Sequence, residues 1–158
     1  MQPEFLLRLL DECHKRSVHT CLDTCGYCEP GLFREFMAKT DLFLFDVKIL
    51  DREKHIRYTG VDNSLIMSNL FQLDEAGNNY IIRMPVIPGI NDDSANILAM
   101  KELLYRLKNP VKELHLLPYH AMAKNKLRRL GMEDNSDPVP EIDNLKLHNL
   151  AFDLEQAG

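Results

Sequence analysis

Three charged side chains lie where two apolar segments of the sequence end. Asp23 is near the end of VHTCLDT, and Asp46 and Lys48 end the segment DLFLFDVK. Both segments have the residue content of strands, and alternate residues of a strand point to the same face, so Asp46 and Lys48 share a face. If the two strands are neighbours, two carboxylates and one ammonium group meet in a small site. Such a site could bind a cation and a zwitterionic ligand, such as the ammonium and carboxylate groups of an amino acid.

The sequence alone leaves other interpretations of these residues open. The charges could form a structural ion pair at the end of a sheet. Lys48 could instead form a Schiff base with a carbonyl substrate, as in a small lyase or aldolase, because lysines at the ends of barrel strands commonly trap electrophiles. The chain could also be a binding module that keeps the fold without catalysis.

The composition argues against several classes of protein. The 158 residues are enough for one domain with a hydrophobic core, and 45% hydrophobic with 27% charged residues is ordinary for a globular protein. A formal net charge of -5 and the lack of a Lys/Arg stripe argue against nucleic-acid binding. No apolar run in the sequence approaches membrane-spanning length. Four cysteines are too few for a disulfide scaffold, which predicts a reducing, cytoplasmic location.

Four predicted strands alternate with helices along the chain. The strands lie near 18–24, 41–48, 80–87 and 111–118, and 132–158 is predicted to be a linker and a closing helix. This order indicates a single α/β domain over 1–158 with a parallel sheet and right-handed crossovers. Ligands of such folds bind at the carboxyl ends of the strands, where the charged residues are found. Four strands cannot close a barrel, so the sheet is expected to be open or to lack its beginning.

Five segments, in this order, resemble segments of a known family. They are QPEFLLRLL, VHTCLDTCGY, DLFLFDVKILDREKHIRYTGV, IIRMPVIPGIND and ELHLLPYH, with a fainter match in KNKLRRLG. The family is that of the glycyl-radical enzyme activating enzymes, whose best-known member is the pyruvate formate-lyase activating enzyme. The resemblance implies an α/β fold, a partial parallel (β/α) barrel of the radical S-adenosylmethionine (SAM) type. About four of its six strands, the third to the sixth, would be present.

The resemblance also implies an activity, its cofactors and its partners. Members of the family reduce SAM with a [4Fe-4S] cluster, and the resulting 5′-deoxyadenosyl radical takes a hydrogen from a glycine of a large partner enzyme. The implied partners are a glycyl-radical enzyme and an electron donor such as flavodoxin or ferredoxin. The family's cluster loop precedes the segment that resembles QPEF, so the cluster cysteines are expected upstream of Met1. The chain as given is therefore expected to lack the cluster, to bind SAM weakly or not at all, and to be inactive.

Individual positions carry over from the family to this sequence. The resemblance implies that Lys48 pairs with the SAM carboxylate, that the aspartates place the amino-acid end, and that the IPG turn lies by the adenine. It also implies that a cation could bind at Asp23 and Asp46. The residues that it assigns to SAM binding are Asp23, Thr24, Asp46, Lys48, Ile87, Gly89 and His120.

Cys21, Cys25 and Cys28 stand in a C-x3-C-x2-C pattern, which is a cluster-ligand spacing of radical SAM enzymes. We predict that they are not cluster ligands. In a strand, Cys21 and Cys25 would lie roughly 13 Å apart at ~3.3 Å per residue, too far for two thiolates of one cubane. We expect instead a free Cys21 in a buried strand, with Cys25 and Cys28 near the rim of the site.

Two further expectations concern the sheet. Arg83 lies in the middle of a predicted strand and is expected to face either the barrel interior or a covering helix. An open sheet leaves a strand edge and the apolar barrel interior uncovered, and exposed edges tend to pair with other strands. The sequence therefore predicts self-association.

Overall fold

Helices and strands alternate along the residues that the computed structural model describes, which are 2–119, 131 and 140–155. His120 and the predicted linker at 132–139 lie outside them. None of the helices in the described ranges has the length and apolar character needed to cross a membrane. The elements are α1 (Pro3–Lys15), β1 (Cys21–Thr24), α2 (Pro30–Met37), β2 (Leu42–Asp46), α3 (Arg52–Thr59), α4 (Ser64–Glu75), β3 (Tyr80–Val86), α5 (Ser94–Arg106), β4 (Leu114–Pro118) and α6 (Asn144–Glu155).

The four strands form one parallel sheet in the order β1-β2-β3-β4. The register pairs Asp23 with Leu44 and Asp46 with Arg83. Because every strand runs in the same direction, all four carboxyl ends lie at one edge of the sheet. The predicted α/β fold with a parallel sheet is therefore confirmed, and the polar residues that follow the strands share one edge.

The strands are shorter than the sequence predicted. β1 begins at Cys21 and not near residue 18, because the preceding Thr20 is held by a side chain. The Thr20 amide donates to Asp41 Oδ2 at 2.7 Å, and the Thr20 hydroxyl donates to the same oxygen at 2.8 Å. These bonds join the amino ends of β1 and β2 through a side chain, next to the backbone bond from the Leu42 amide to the Thr20 carbonyl at 3.1 Å.

The two faces of the sheet have different surroundings. Phe43, Phe45, Ile82 and Met84 are fully buried on the face that packs against helices, and the Phe33 ring of α2 contacts both phenylalanines. Burial of each such side chain contributes about 1.5–3 kcal/mol to stability. The alternate residues form the second face, here named the inner face, where every side chain is at least partly exposed. Its members are Cys21, Asp23, Leu42, Leu44, Asp46, Ile81, Arg83, Pro85, His115 and Leu117.

The helices that follow β1, β2 and β3 each begin at an acidic cap. Glu29 accepts a hydrogen bond from the Leu32 amide, Asp51 from the Lys54 amide and Asp93 from the Asn96 amide, at 2.9, 2.7 and 2.9 Å respectively. An N-cap of this kind contributes about 1 kcal/mol to helix stability. The caps fix where α2, α3 and α5 start relative to the carboxyl edge of the sheet.

Candidate ligand-binding site

Four charged side chains lie together at the carboxyl edge of the inner face. Arg83 of β3 donates from Nε to Asp46 Oδ1 at 2.9 Å, and its terminal nitrogen lies 2.8 Å from the same oxygen. That terminal nitrogen also pairs with Asp23 of β1. The Lys48 ammonium lies 3.4 Å from Asp46 Oδ2. We name this group, Asp23, Arg83, Asp46 and Lys48, the charged cluster.

The charged cluster is buried at its centre and open at its ends. The side chains of Arg83 and Asp46 are 15% and 18% exposed, whereas those of Asp23 and Lys48 are 62% and 37% exposed. Burial lowers the pKa of Arg83, but hydrogen bonds to the two carboxylates raise it more, so the net pKa is above its ordinary value. The guanidinium therefore stays charged, and a zwitterionic ligand could reach a carboxylate at one end and an ammonium at the other.

The structure brings together Asp23, Asp46 and Lys48, which the sequence predicted would meet. It also resolves the open expectation for Arg83, which lies on the inner face and not beneath a helix. The guanidinium of Arg83 pairs with both of the aspartates at which a cation was predicted. Across the described ranges, no group of three or more His, Cys, Asp or Glu side chains is placed to hold a metal ion. The cation at Asp23 and Asp46 stays a prediction.

Thr24 and the IPG turn differ in how they border the charged cluster. Thr24 pairs with Phe45, so it lies on the helix-covered face, and its hydroxyl accepts the Gly26 amide at 3.0 Å. Its side chain shapes the loop after β1. The turn at 87–89 follows β3 directly, and Gly89 at its tip is exposed. Its backbone is the part of the turn that a ligand could approach.

Two of the three clustered cysteines have surroundings that differ from those predicted. Cys21 is exposed and not buried, because its side chain lies on the inner face. Cys28 is buried in the hydrophobic core and not at the rim. Its burial and, to a smaller extent, the negative charge of Glu29 raise the pKa of its thiol. A raised pKa disfavours the thiolate that metal ligation requires. Cys25, which is partly buried, lines a recess together with Asp46 and Lys48 of the charged cluster.

A recess of about 360 Å³ adjoins the charged cluster. His55 in its wall is buried, and His55 Nδ1 lies 2.7 Å from the Val61 carbonyl, to which it can donate. A larger groove of about 590 Å³ lies between α5, β4 and α6, but none of the cluster residues lines it. We include the recess in the candidate site because Asp46 and Lys48 of the charged cluster line it, although the groove is larger. Its walls include Cys25, Asp46, Lys48, His55, Ile66 and Met67.

Buried asparagines hold the loops at this edge of the sheet, and the sequence did not predict them. The Asn69 amide donates to the carbonyls of Gly26 and Cys28 at 2.8 and 2.7 Å. The Asn63 amide donates to the carbonyl of Leu50 at 2.8 Å. These side chains satisfy backbone groups of the loops after β1 and β2. No local pattern signals them, because their partners are distant in sequence.

The fold and the charged cluster together define a class of protein. A parallel sheet covered by helices on one face, with charged groups at the carboxyl ends of the other, is the arrangement of part of an α/β barrel, and folds of this class bind ligands at this edge. No protein-family model matches the chain. Among solved structures, it matches a domain of pyruvate-formate lyase-activating enzyme from Bacteroides vulgatus. The TM-score is 0.83 at 28% identity, over 99% of this chain and 88% of that one.

The chain is also similar in sequence to several activating enzymes. The choline trimethylamine-lyase activating enzyme of Oleidesulfovibrio alaskensis is 36% identical over 152 residues, 95% of this chain and 49% of the relative. The trans-4-hydroxy-L-proline dehydratase activating enzyme of Clostridioides difficile is 35% identical over 147 residues, 93% of this chain and 49% of the relative. The chain spans about half the length of these curated relatives. It is a homologue of the glycyl-radical enzyme activating enzymes, with the partial barrel fold of radical SAM enzymes.

Proposed function

We propose that this chain forms the SAM-binding part of a glycyl-radical enzyme activating enzyme. The observation that carries the proposal is the charged cluster, which places two basic and two acidic side chains at the edge where α/β barrels bind ligands. The amino-acid end of SAM carries an ammonium and a carboxylate. The exposed groups of the cluster can pair with both charges.

Each residue of the candidate site has a role in this proposal. Lys48 binds the SAM carboxylate, and Asp23 and Asp46 place the ammonium, with a cation at these two aspartates as a further proposal. The turn that contains Ile87 and Gly89 lies along the adenine. Thr24 fixes the loop after β1 through its bond to the Gly26 amide. His120, which lies outside the described residues, is proposed to approach the nucleoside.

We further propose that Cys21, Cys25 and Cys28 are not ligands of a [4Fe-4S] cluster. Cys21 is exposed on the inner face, and Cys28 is buried in the core with a raised thiol pKa. No role in cluster binding is assigned to the residues of this chain. When SAM and such a cluster are bound together, they supply the radical chemistry of the family.

For the whole protein, we propose hydrogen abstraction from a glycine of a partner glycyl-radical enzyme in the cytoplasm. Flavodoxin or ferredoxin would serve as the electron donor. The homology to activating enzymes favours this function over a Schiff-base lyase that uses Lys48 and over a binding module without catalysis.

The proposal is tested by titrating SAM into the isotope-labelled chain and following backbone amide resonances by NMR. We expect the amide resonances of residues 46–48 and of Ile87 and Gly89 to shift, with a dissociation constant on the order of 1 mM. Lys48→Met should weaken binding about tenfold, which corresponds to about 1.4 kcal/mol. The control is Lys112→Met, which removes an exposed lysine just before β4, at the opposite edge of the sheet. SAM-induced shifts confined to other residues, or equal affinity in both variants, would contradict the proposed site.

A further inference from the structure

Asn91 is fully buried just beyond the turn that follows β3. Its side-chain nitrogen donates to the carbonyl of Lys48 at 2.7 Å and to that of Pro85 at 2.6 Å. Its side-chain oxygen accepts a hydrogen bond from the Ile87 amide at 2.7 Å. One side chain thus contacts the backbone of Lys48, the end of β3 and the first residue of the turn.

The backbone groups around position 91 require the hydrogen-bonding groups of an asparagine side chain. The site needs two N–H donors and one acceptor within a single short planar group, which the asparagine amide provides. An aspartate offers the acceptor without the donors, and an alanine leaves two carbonyls and one amide of the backbone without this partner. Since buried backbone groups left without partners are costly, the three bonds hold the two segments at a fixed separation.

A second asparagine makes the same connection. Asn96, at the start of α5, donates to the Asn91 carbonyl at 3.0 Å and accepts from the Leu50 amide at 2.9 Å. Asn96 is also buried. The segment after β2 and the segment after β3 are therefore joined twice, once by each asparagine.

We propose that Asn91 is a positioning residue that sets the placement of Lys48 relative to the turn at 87–89. The inference rests on the proposed function, in which Lys48 binds the carboxylate of SAM and the turn lies along its adenine. Lys48 and the turn at 87–89 would then bind the two ends of SAM. Asn91, which does not contact SAM, would fix the distance between these two segments. Loss of Asn91 would leave each contact present and change the distance between them.

The test compares Asn91→Ala with Asn78→Ala. Asn78 precedes β3 and donates to the Met37 carbonyl at 3.0 Å, so its loss removes a side-chain anchor at the opposite end of the same strand. SAM affinity is measured by NMR titration of the whole chain, and stability is measured by urea unfolding. We expect Asn91→Ala to weaken SAM binding at least tenfold and Asn78→Ala to change it less than twofold. Native Asn91→Ala with unchanged SAM affinity would overturn the proposal.

Two further readouts separate this proposal from the proposed function. Amide hydrogen exchange at Ile87 should accelerate in Asn91→Ala, and the resonances of Lys48 and Gly89 should shift before any SAM is added. If the unmodified chain gives no response to SAM, the proposed function fails, and these two readouts decide whether Asn91 couples the segments. Unmoved Lys48 resonances would contradict the coupling. If Asn91→Ala does not fold, Asn96→Ala is measured in its place, with a smaller loss of affinity expected and unchanged affinity counting against the proposal.

Discussion

At the scale of single residues, Arg83 links the side chains that three strands contribute to the candidate site. Its planar guanidinium donates to Asp46 on the neighbouring strand and reaches Asp23 two strands away. A lysine ammonium lacks the fixed fork that serves two carboxylates in one geometry, so the exchange of arginine for lysine here is not conservative. The carboxyl ends of β1, β2 and β3 are therefore linked by side chains as well as by the backbone ladder.

Asp74 provides a stability test that is independent of the candidate site. This buried carboxylate accepts hydrogen bonds from Tyr80 Oη at 2.9 Å, the Lys108 amide at 2.7 Å and the Asn109 amide at 3.1 Å. Asp74→Asn places an N–H group where donors already converge. We expect a loss of about 2 kcal/mol in the free energy of unfolding, measured by urea denaturation.

The pH dependence of stability should change in the same variant. Burial raises the pKa of Asp74, but the hydrogen bonds from Lys108, Asn109 and Tyr80 lower it more, so the net pKa lies below its ordinary value. The stability that this carboxylate contributes is present above about pH 4 and is lost as the pH falls through its folded-state pKa. Asp74→Asn should flatten the acid limb of the stability curve. The control Asp153→Asn, at an exposed position of α6, should keep the slope, and equal slopes in both variants would contradict the assignment.

The sequence predicted that charged residues at or just after the ends of two strands would lie close together, and they do. Asp23, Asp46 and Lys48 come together because parallel strands end at one edge, which is a property of the fold class. The ion pairs of Arg83 required the register of three strands, which no local pattern contains. The anchoring role of Asn91 required knowledge of a contact 43 residues away in sequence. Long-range hydrogen bonds of single side chains are thus the part of the site that the sequence left out.

At the scale of elements, the loop between β1 and α2 depends on a glycine that contacts the core. Gly26 has a φ of +70°, and a Cβ at this position would lie 2.4 Å from Cζ of the fully buried Phe45. Gly26→Ala therefore adds a steric clash to the strain of a left-handed backbone. We expect a loss of about 3 kcal/mol in the free energy of unfolding, measured by urea denaturation.

Gly77 is the matched control for this substitution. It also has a φ of +70°, but no atom lies within 4 Å of the position that its Cβ would take. Gly77→Ala should cost about 1 kcal/mol, since only the backbone strain applies. The difference between the two variants isolates the contact with Phe45. Equal losses of stability would show that the loop moves away from the ring and that the loop is not fixed by the core.

The sequence predicted the order of the helices and strands more accurately than the residues at which the strands begin. Helical periodicity and apolar segments predicted four strands alternating with helices, because these signals extend over many residues. β4 begins at Leu114 and not near residue 111, and β1 begins three residues later than predicted. At the start of β1 the Thr20 amide donates to the Asp41 side chain and not to a backbone carbonyl. A strand end that is set by a hydrogen bond to a single side chain leaves no periodic pattern in the sequence.

At the scale of the whole molecule, the described sheet has two open edges and one partly exposed face. β1 pairs only with β2, and β4 only with β3, among the described residues. Leu42, Leu44 and Ile81 on the inner face are only partly buried. Unpaired strand edges beside apolar surface are templates for pairing with another chain. These features support the predicted self-association.

Self-association is tested by light scattering with size-exclusion chromatography over a range of concentrations, under reducing conditions that exclude disulfides through the exposed Cys21. We expect the average mass to rise with concentration, and Cys21→Lys to lower it, because a charge on an edge strand disfavours pairing. Ser68→Lys adds the same charge at an exposed position of α4 and should leave the mass unchanged. An equal effect of both lysines would indicate net charge as the cause. A constant monomer mass in the unmodified chain would show that its open edges are protected by their own twist and charge.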